Sequence, residues 1–116
     1  MKINKLTDVE KVPVVMNDAV NAFKQIPISK NDGTPAYAFR VFTLEPDGHT
    51  PFHNHNYEHL NYIIEGDGFI KKSTGEKVRI TKGDFVLVEP NEQHQYINES
   101  KENNFVMICA VPKEFE

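Results

Sequence analysis

The chain has 116 residues, 39% of them hydrophobic and 26% charged, with a formal net charge of −4. This length suits a single domain with its own core, and an acidic chain without a basic patch argues against a nucleic-acid or membrane-surface partner. The one cysteine, Cys109, excludes an intrachain disulfide. Together with the absence of a signal-peptide-like or membrane-spanning apolar run, this predicts a cytoplasmic protein.

Short β-strands are predicted along the whole chain, because β-branched and aromatic runs alternate with proline and glycine breaks. In chain order the clearest runs are 22–29, 36–45, 59–66, 68–73, 76–81, 84–90, 93–98 and 105–112. Helical periodicity is poor. The pattern predicts an all-β sandwich or barrel over residues 1–116, with a core at about 36–112 and N-terminal strands or an arm over 1–35.

The breaks between these runs carry turn residues. Gly33 and Gly48 each follow an aspartate in a turn-like segment, and we expect positive φ at both glycines. Gly75 suits a tight hairpin, and Pro90 should end a strand because it has no N–H for a ladder.

Four of the five histidines form the most informative pattern. His53, His55 and His59 keep the same parity along the chain, so on extended backbone their side chains leave one face. His94 follows another apolar run. Imidazole is the commonest metal ligand in proteins, and this spacing predicts a metal site that lines a pocket. We expect the fifth histidine, His49, to be a solvated loop residue.

These residues resemble the two motifs of the cupin superfamily. The first motif is matched by Gly48, His53, His55, His59 and Gly66, and the second by Gly83, Pro90, His94 and Asn98. Two departures are visible: Glu92 stands where a glycine is usual, and one residue fewer separates Gly48 from His53. The resemblance implies a single-domain double-stranded β-helix, or jelly-roll barrel, with a central metal, and in small cupins commonly a homodimer.

Counting back from Gly66, the position of the usual glutamate ligand falls on His59 and not on Glu58. The chain is therefore similar to four-histidine, manganese-type cupins, which implies one divalent ion per chain bound by His53, His55, His59 and His94. Manganese is expected, and iron, nickel, copper or zinc also suit imidazole ligands. Glu58 should point outward.

The pocket wall is predicted from strand alternation and from the same resemblance. Asn61 shares the parity of His59, and by resemblance the face of Met107, Cys109 and Val111 should line the cavity, with Cys109 as an inert core residue. Arg40 either reaches the surface at a sheet edge or faces the pocket, where it could hold a carboxylate. Five aromatic residues are expected to pack in the core or at a dimer contact: Phe39, Phe42, Tyr62, Phe85 and Tyr96.

The expected function is a metal-dependent enzyme, dioxygenase-like or acting by oxidative cleavage, on a small oxygenated molecule that is anionic or bidentate. A metal-dependent lyase or isomerase of sugar acids is an alternative, and a non-catalytic sensor that binds a small ligand is another. The sequence identifies no catalytic residue beyond the metal ligands.

Overall fold

The computed structural model describes all 116 residues and consists of nine β-strands joined by turns. The strands are β1 Val12–Pro13, β2 Val20–Ile28, β3 Tyr37–His49, β4 His59–Glu65, β5 Asp67–Lys72, β6 Lys77–Thr81, β7 Phe85–Val88, β8 His94–Ile97 and β9 Phe105–Pro112. The helical elements are three short 3-10 segments, Leu6–Asp8, Lys30–Asp32 and Lys113–Phe115. None of them is long and apolar enough to cross a membrane.

All strand pairs are antiparallel, and hydrogen bonds join seven strands in the order β6-β5-β8-β3-β9-β4-β7. Strand β2 also pairs with β3, and β1 pairs with β2. The sheet curls on itself, which confirms the predicted all-β, single-domain jelly-roll. Each of the eight predicted runs corresponds to one of β2 to β9.

One predicted turn is wrong. Strand β3 continues through Pro46 and Asp47 to His49, and the positive φ, 62°, belongs to Asp47 and not to Gly48. Gly48 is required for a different reason: a Cβ there would lie 2.7 Å from the carbonyl oxygen of Asn21, on the neighbouring strand. The positive φ predicted at Gly33 is confirmed, and so is the tight turn at Gly75, where φ is also positive.

The strand register stacks the inward-facing side chains in layers. Leu44 pairs with Phe105, and both are fully buried. The next layer is apolar as well, with Met107 opposite Phe42 on one side and Ile63 on the other. Burying such a side chain contributes about 1.5–3 kcal/mol, so these layers contribute strongly to the stability of the barrel.

The layer that follows is polar. Cys109 lies opposite Arg40 on β3 and opposite Asn61 on β4, and all three side chains are buried. His59 also points inward, at the start of β4. Polarity therefore changes along the barrel interior, and buried polar groups need partners that an apolar core does not offer.

Candidate metal centre

The predicted histidines come together at the polar end of the barrel. His53 and His94 form an antiparallel bridge, in which each backbone N–H donates to the other residue's carbonyl oxygen at 3.1 and 2.9 Å. His55 lies two residues further on, before β4. The ring centroid of His55 lies 5.3 Å from that of His53, 5.0 Å from that of His94 and 4.1 Å from that of His59.

Three of the four histidines present ring nitrogens that can converge on one metal ion. These nitrogens, from His53, His55 and His94, all lie within 4.8 Å of one another. Nδ1 of His55 lies 2.7 Å from the carbonyl oxygen of Tyr57, and Nδ1 of His94 lies 2.8 Å from that of Glu92. Carbonyls only accept, so each Nδ1 carries the proton and each Nε2 keeps its lone pair.

This arrangement fits a divalent metal. Metal-binding histidines usually donate their other ring N–H to a carbonyl or carboxylate, which fixes the ring and its tautomer. Nε2 of His55 is buried and has no hydrogen-bond partner. Burial lowers the pKa of all four clustered histidines, to about 4 for His94 and to about 2 for His59. They are therefore neutral at neutral pH, as metal ligation requires.

His59 belongs to the cluster but differs in its bonding. Its Nε2 lies 3.1 Å from a terminal nitrogen of Arg40. A guanidinium has only donors, so Nε2 of His59 accepts this hydrogen bond. The nitrogens of His59 are not among the converging set. The predicted four-histidine ligand set thus stays a prediction.

Arg40 faces the cavity and not the outer edge of the sheet. It is 7% exposed and takes part in none of the four ion pairs of the chain. Besides His59, its guanidinium donates to Sγ of Cys109 at 3.2 Å and to the carbonyl oxygen of Phe115 at 3.3 Å, while its Nε has no partner. A buried cation without an anion is costly, which favours an anionic ligand here.

These side chains line a cavity of about 110 Å³. Arg40, Asn61, Met107 and Cys109 line it, as the sequence predicts. Val111 does not: it is fully buried opposite Ala38, one inward position beyond Cys109. Strand alternation gives the face of a side chain but not the depth at which a cavity ends.

Several residues that line the cavity were not predicted from the sequence. They are Val14, Met16, Phe42, Thr50, Pro51, Tyr57 and Tyr96. Phe42 and Tyr96 pack in the barrel as expected but also reach the cavity, and the parity of Phe42 with Arg40 is the signal that could have found it. The hydroxyl of Tyr96 donates to Oδ1 of Asn61 at 2.7 Å. Val14 comes from the N-terminal arm, and no local pattern marks it.

Three further predictions concern titratable side chains near the cavity. The prediction for His49 is wrong: it is half-buried at the end of β3, with Nδ1 3.1 Å from the carbonyl oxygen of Thr50 and 3.3 Å from Nε2 of Gln95. Glu58 lies outside the cavity and accepts a hydrogen bond from the hydroxyl of Tyr37 at 3.0 Å. Cys109 is fully buried, in keeping with a core position.

The fold and the site define a class of protein: a single jelly-roll barrel with a histidine cluster at one end of its interior. The chain belongs to the cupin family, whose Cupin domain matches residues 40–111.

Two individual proteins show this similarity in more detail. A gentisate 1,2-dioxygenase from Aquipseudomonas alcaligenes is 31% identical over an alignment 90 residues long, which covers 71% of this chain and 26% of that protein. The chain thus spans about a quarter of that relative. The polyketide cyclase RemF from Streptomyces resistomycificus has the same fold, with a TM-score of 0.92 and 24% identity over 97% of this chain and 80% of that one.

A predicted oxalate decarboxylase from Thermotoga maritima matches over 96% of this chain and 98% of its own, with a TM-score of 0.80 and 19% identity. At these identities the solved structures show the fold alone.

Proposed function

We propose that the protein is a metal-dependent enzyme that acts on a small oxygenated molecule with an anionic or bidentate group, in a dioxygenase or oxidative-cleavage reaction. One observation carries this proposal. Three neutral imidazoles and a buried guanidinium that has no anionic partner lie together in one small cavity. The likeness to a gentisate dioxygenase supports the oxidative class.

In this proposal His53, His55 and His94 hold one divalent ion, and His59 supplies a fourth ligand. Manganese is the first candidate, followed by iron, nickel, copper and zinc. Neutral ligands would leave the ion its full charge, and the bound ion would supply Lewis-acid and redox chemistry.

The protein's own groups complete the site. Arg40 binds a carboxylate of the substrate, because its planar fork matches the two carboxylate oxygens. The phenol of Tyr96 stays protonated, since burial raises its pKa, and together with Asn61 it orients the substrate's oxygen atoms. Phe42 and Met107 exclude water from the apolar side.

Tyr96 also favours the second candidate, a metal-dependent lyase or isomerase of sugar acids. A buried phenol that keeps its proton can hydrogen-bond a substrate oxygen and so support a metal-polarised reaction without any change of oxidation state. A sensor that binds a ligand without turnover is the third candidate.

An oxygen-dependence experiment separates these candidates. Metal-free protein is loaded with Mn²⁺, Fe²⁺, Ni²⁺ or Zn²⁺ and assayed with gentisate, keto acids, diketones and sugar acids, with and without air. The oxidative proposal expects turnover that consumes oxygen with a redox-active metal and stops with zinc. Turnover that is equal in air and under argon would instead indicate the lyase or isomerase, and ligand binding without turnover would indicate the sensor.

We further propose a cytoplasmic homodimer. Across the outer face of the sheet, Phe39 pairs with Ala110, Ala110 with Leu60 and Leu60 with Leu87. Phe85 lies on the same strand as Leu87 and is 81% exposed. A second copy of the chain would cover this apolar row.

Sedimentation equilibrium should give a dimer for the native chain and a monomer for the double variant Phe85→Ser with Leu87→Ser. A native monomer at micromolar concentration would contradict the proposal.

A further inference from the structure

The hydrogen bond between Arg40 and His59 occupies the atom that a metal would need. A neutral imidazole has one lone pair. Because Nε2 of His59 accepts from Arg40 at 3.1 Å, its proton lies on Nδ1 and its only lone pair is already used. The ring of His59 still lies 4.1 Å from that of His55 and 5.5 Å from that of His94, measured between centroids. Its nitrogens nevertheless lie outside the set of ring nitrogens that come within 4.8 Å of one another, and its Nε2 is turned toward Arg40. To join the metal, the ring must therefore both release Arg40 and turn toward the other three histidines.

We propose that Arg40 and the metal ion compete for Nε2 of His59. When a carboxylate binds Arg40, the hydrogen bond to His59 is released and His59 becomes free to coordinate the metal. This rests on the metal site proposed above and adds a coupling to it: ligand binding changes the metal from three imidazole ligands to four.

A carboxylate is a better partner for Arg40 than the groups it now contacts. The present acceptors, an imidazole nitrogen, a thiol and a carbonyl oxygen, are all neutral and lie at 3.1–3.3 Å. Ionised acceptors form shorter bonds that are about twice as strong, and a carboxylate can engage two guanidinium nitrogens at once. The unpartnered Nε provides one of these donors.

The geometry also holds the guanidinium in place for this exchange. Its central carbon lies 4.9 Å from the ring centroid of Phe42, so the ring supports one face of the cation. The guanidinium can therefore release His59 and bind a carboxylate with a small movement within the cavity.

Charge favours the same direction of coupling. A free guanidinium beside the histidines repels a divalent cation, and a bound carboxylate removes that repulsion. Coupling is reciprocal, so the metal raises carboxylate affinity by the factor by which the carboxylate raises metal affinity. We expect about tenfold, which is the lower end of the range for groups that act through a ligand histidine.

The experiment counts ligands and measures affinity separately. Pulsed EPR of the Cu²⁺ complex counts coordinated imidazoles, and calorimetry with Zn²⁺ gives the dissociation constant, each with and without saturating acetate. The native chain should change from three imidazoles to four on addition of acetate, with about tenfold tighter zinc binding. Arg40→Gln should show four in both conditions and no response to acetate. Arg79→Gln, which alters an exposed arginine paired with Asp67, should behave like the native chain.

The outcomes are distinct. A native chain that shows the same number of imidazoles with and without acetate overturns the exchange, even if zinc affinity rises, because charge alone would explain the affinity. A chain that binds no metal overturns the metal site itself, and the exchange with it. The native comparison needs no variant, so it stands even if Arg40→Gln does not fold.

Discussion

Replacing His94 by alanine should lower the affinity for a divalent metal at least about a hundredfold, and His55→Ala should do the same. Both rings are fixed by backbone carbonyls and direct Nε2 into the cluster. Structural zinc sites with four ligands bind with roughly 10–16 kcal/mol, so one ligand contributes about 2.5–4 kcal/mol. Elemental analysis of the purified variants and calorimetric titration of the metal-free forms measure the loss.

The matched control is Glu58→Ala. Glu58 stands directly before His59 in the chain, but its carboxylate bonds to Tyr37 outside the cavity, so metal affinity should stay within about twofold of the native value. His59→Ala should also lower the affinity, most strongly when a carboxylate is present. Loss of metal in Glu58→Ala, with retention in His59→Ala, would show that the ligand register is wrong.

The parts of the site that the sequence predicts are those that depend on local geometry. Side chains alternate along a strand with a period of two, so the inward direction of His59, Asn61 and Ile63 follows from the sequence alone. The same rule places Met107 and Cys109 inside the barrel.

The parts that were missed depend on contacts between distant segments. The bond from Arg40 to His59 requires the register of β3 against β9 and of β9 against β4, which no single run of residues contains. Val14 enters the cavity because β1 pairs with β2, far from either motif. The extension of β3 through Pro46 depends on pairing with β2 as far as His49, which outweighs the local turn signal.

The role of Gly66 is visible both in the local sequence motif and in the pairing of distant strands. It lies between β4 and β5 with φ of 76°, and its carbonyl accepts a hydrogen bond from the backbone of Lys82 at 3.0 Å. The pairing of β4 with β9 shifts register between Ile63 and Glu65, directly before it. The glycine that marks His59 as the inward residue in the sequence is thus the point at which β4 leaves its partner strand.

Alanine at Gly66 should therefore cost more than alanine at any turn glycine with room around it. A Cβ on Gly66 would overlap the backbone carbonyl of Asn104, and positive φ is itself strained for alanine. We expect the free energy of unfolding to fall by about 3 kcal/mol or more. Gly75 is the matched control, since its φ of 88° is similar but nothing lies within 4 Å of an added Cβ; Gly75→Ala should cost only about 1–2 kcal/mol. Urea titration of both variants gives the free energies of unfolding, which can be compared directly if the m-values agree. Equal losses of stability in the two variants would mean that the contact with Asn104 yields easily and does not fix the register of β4.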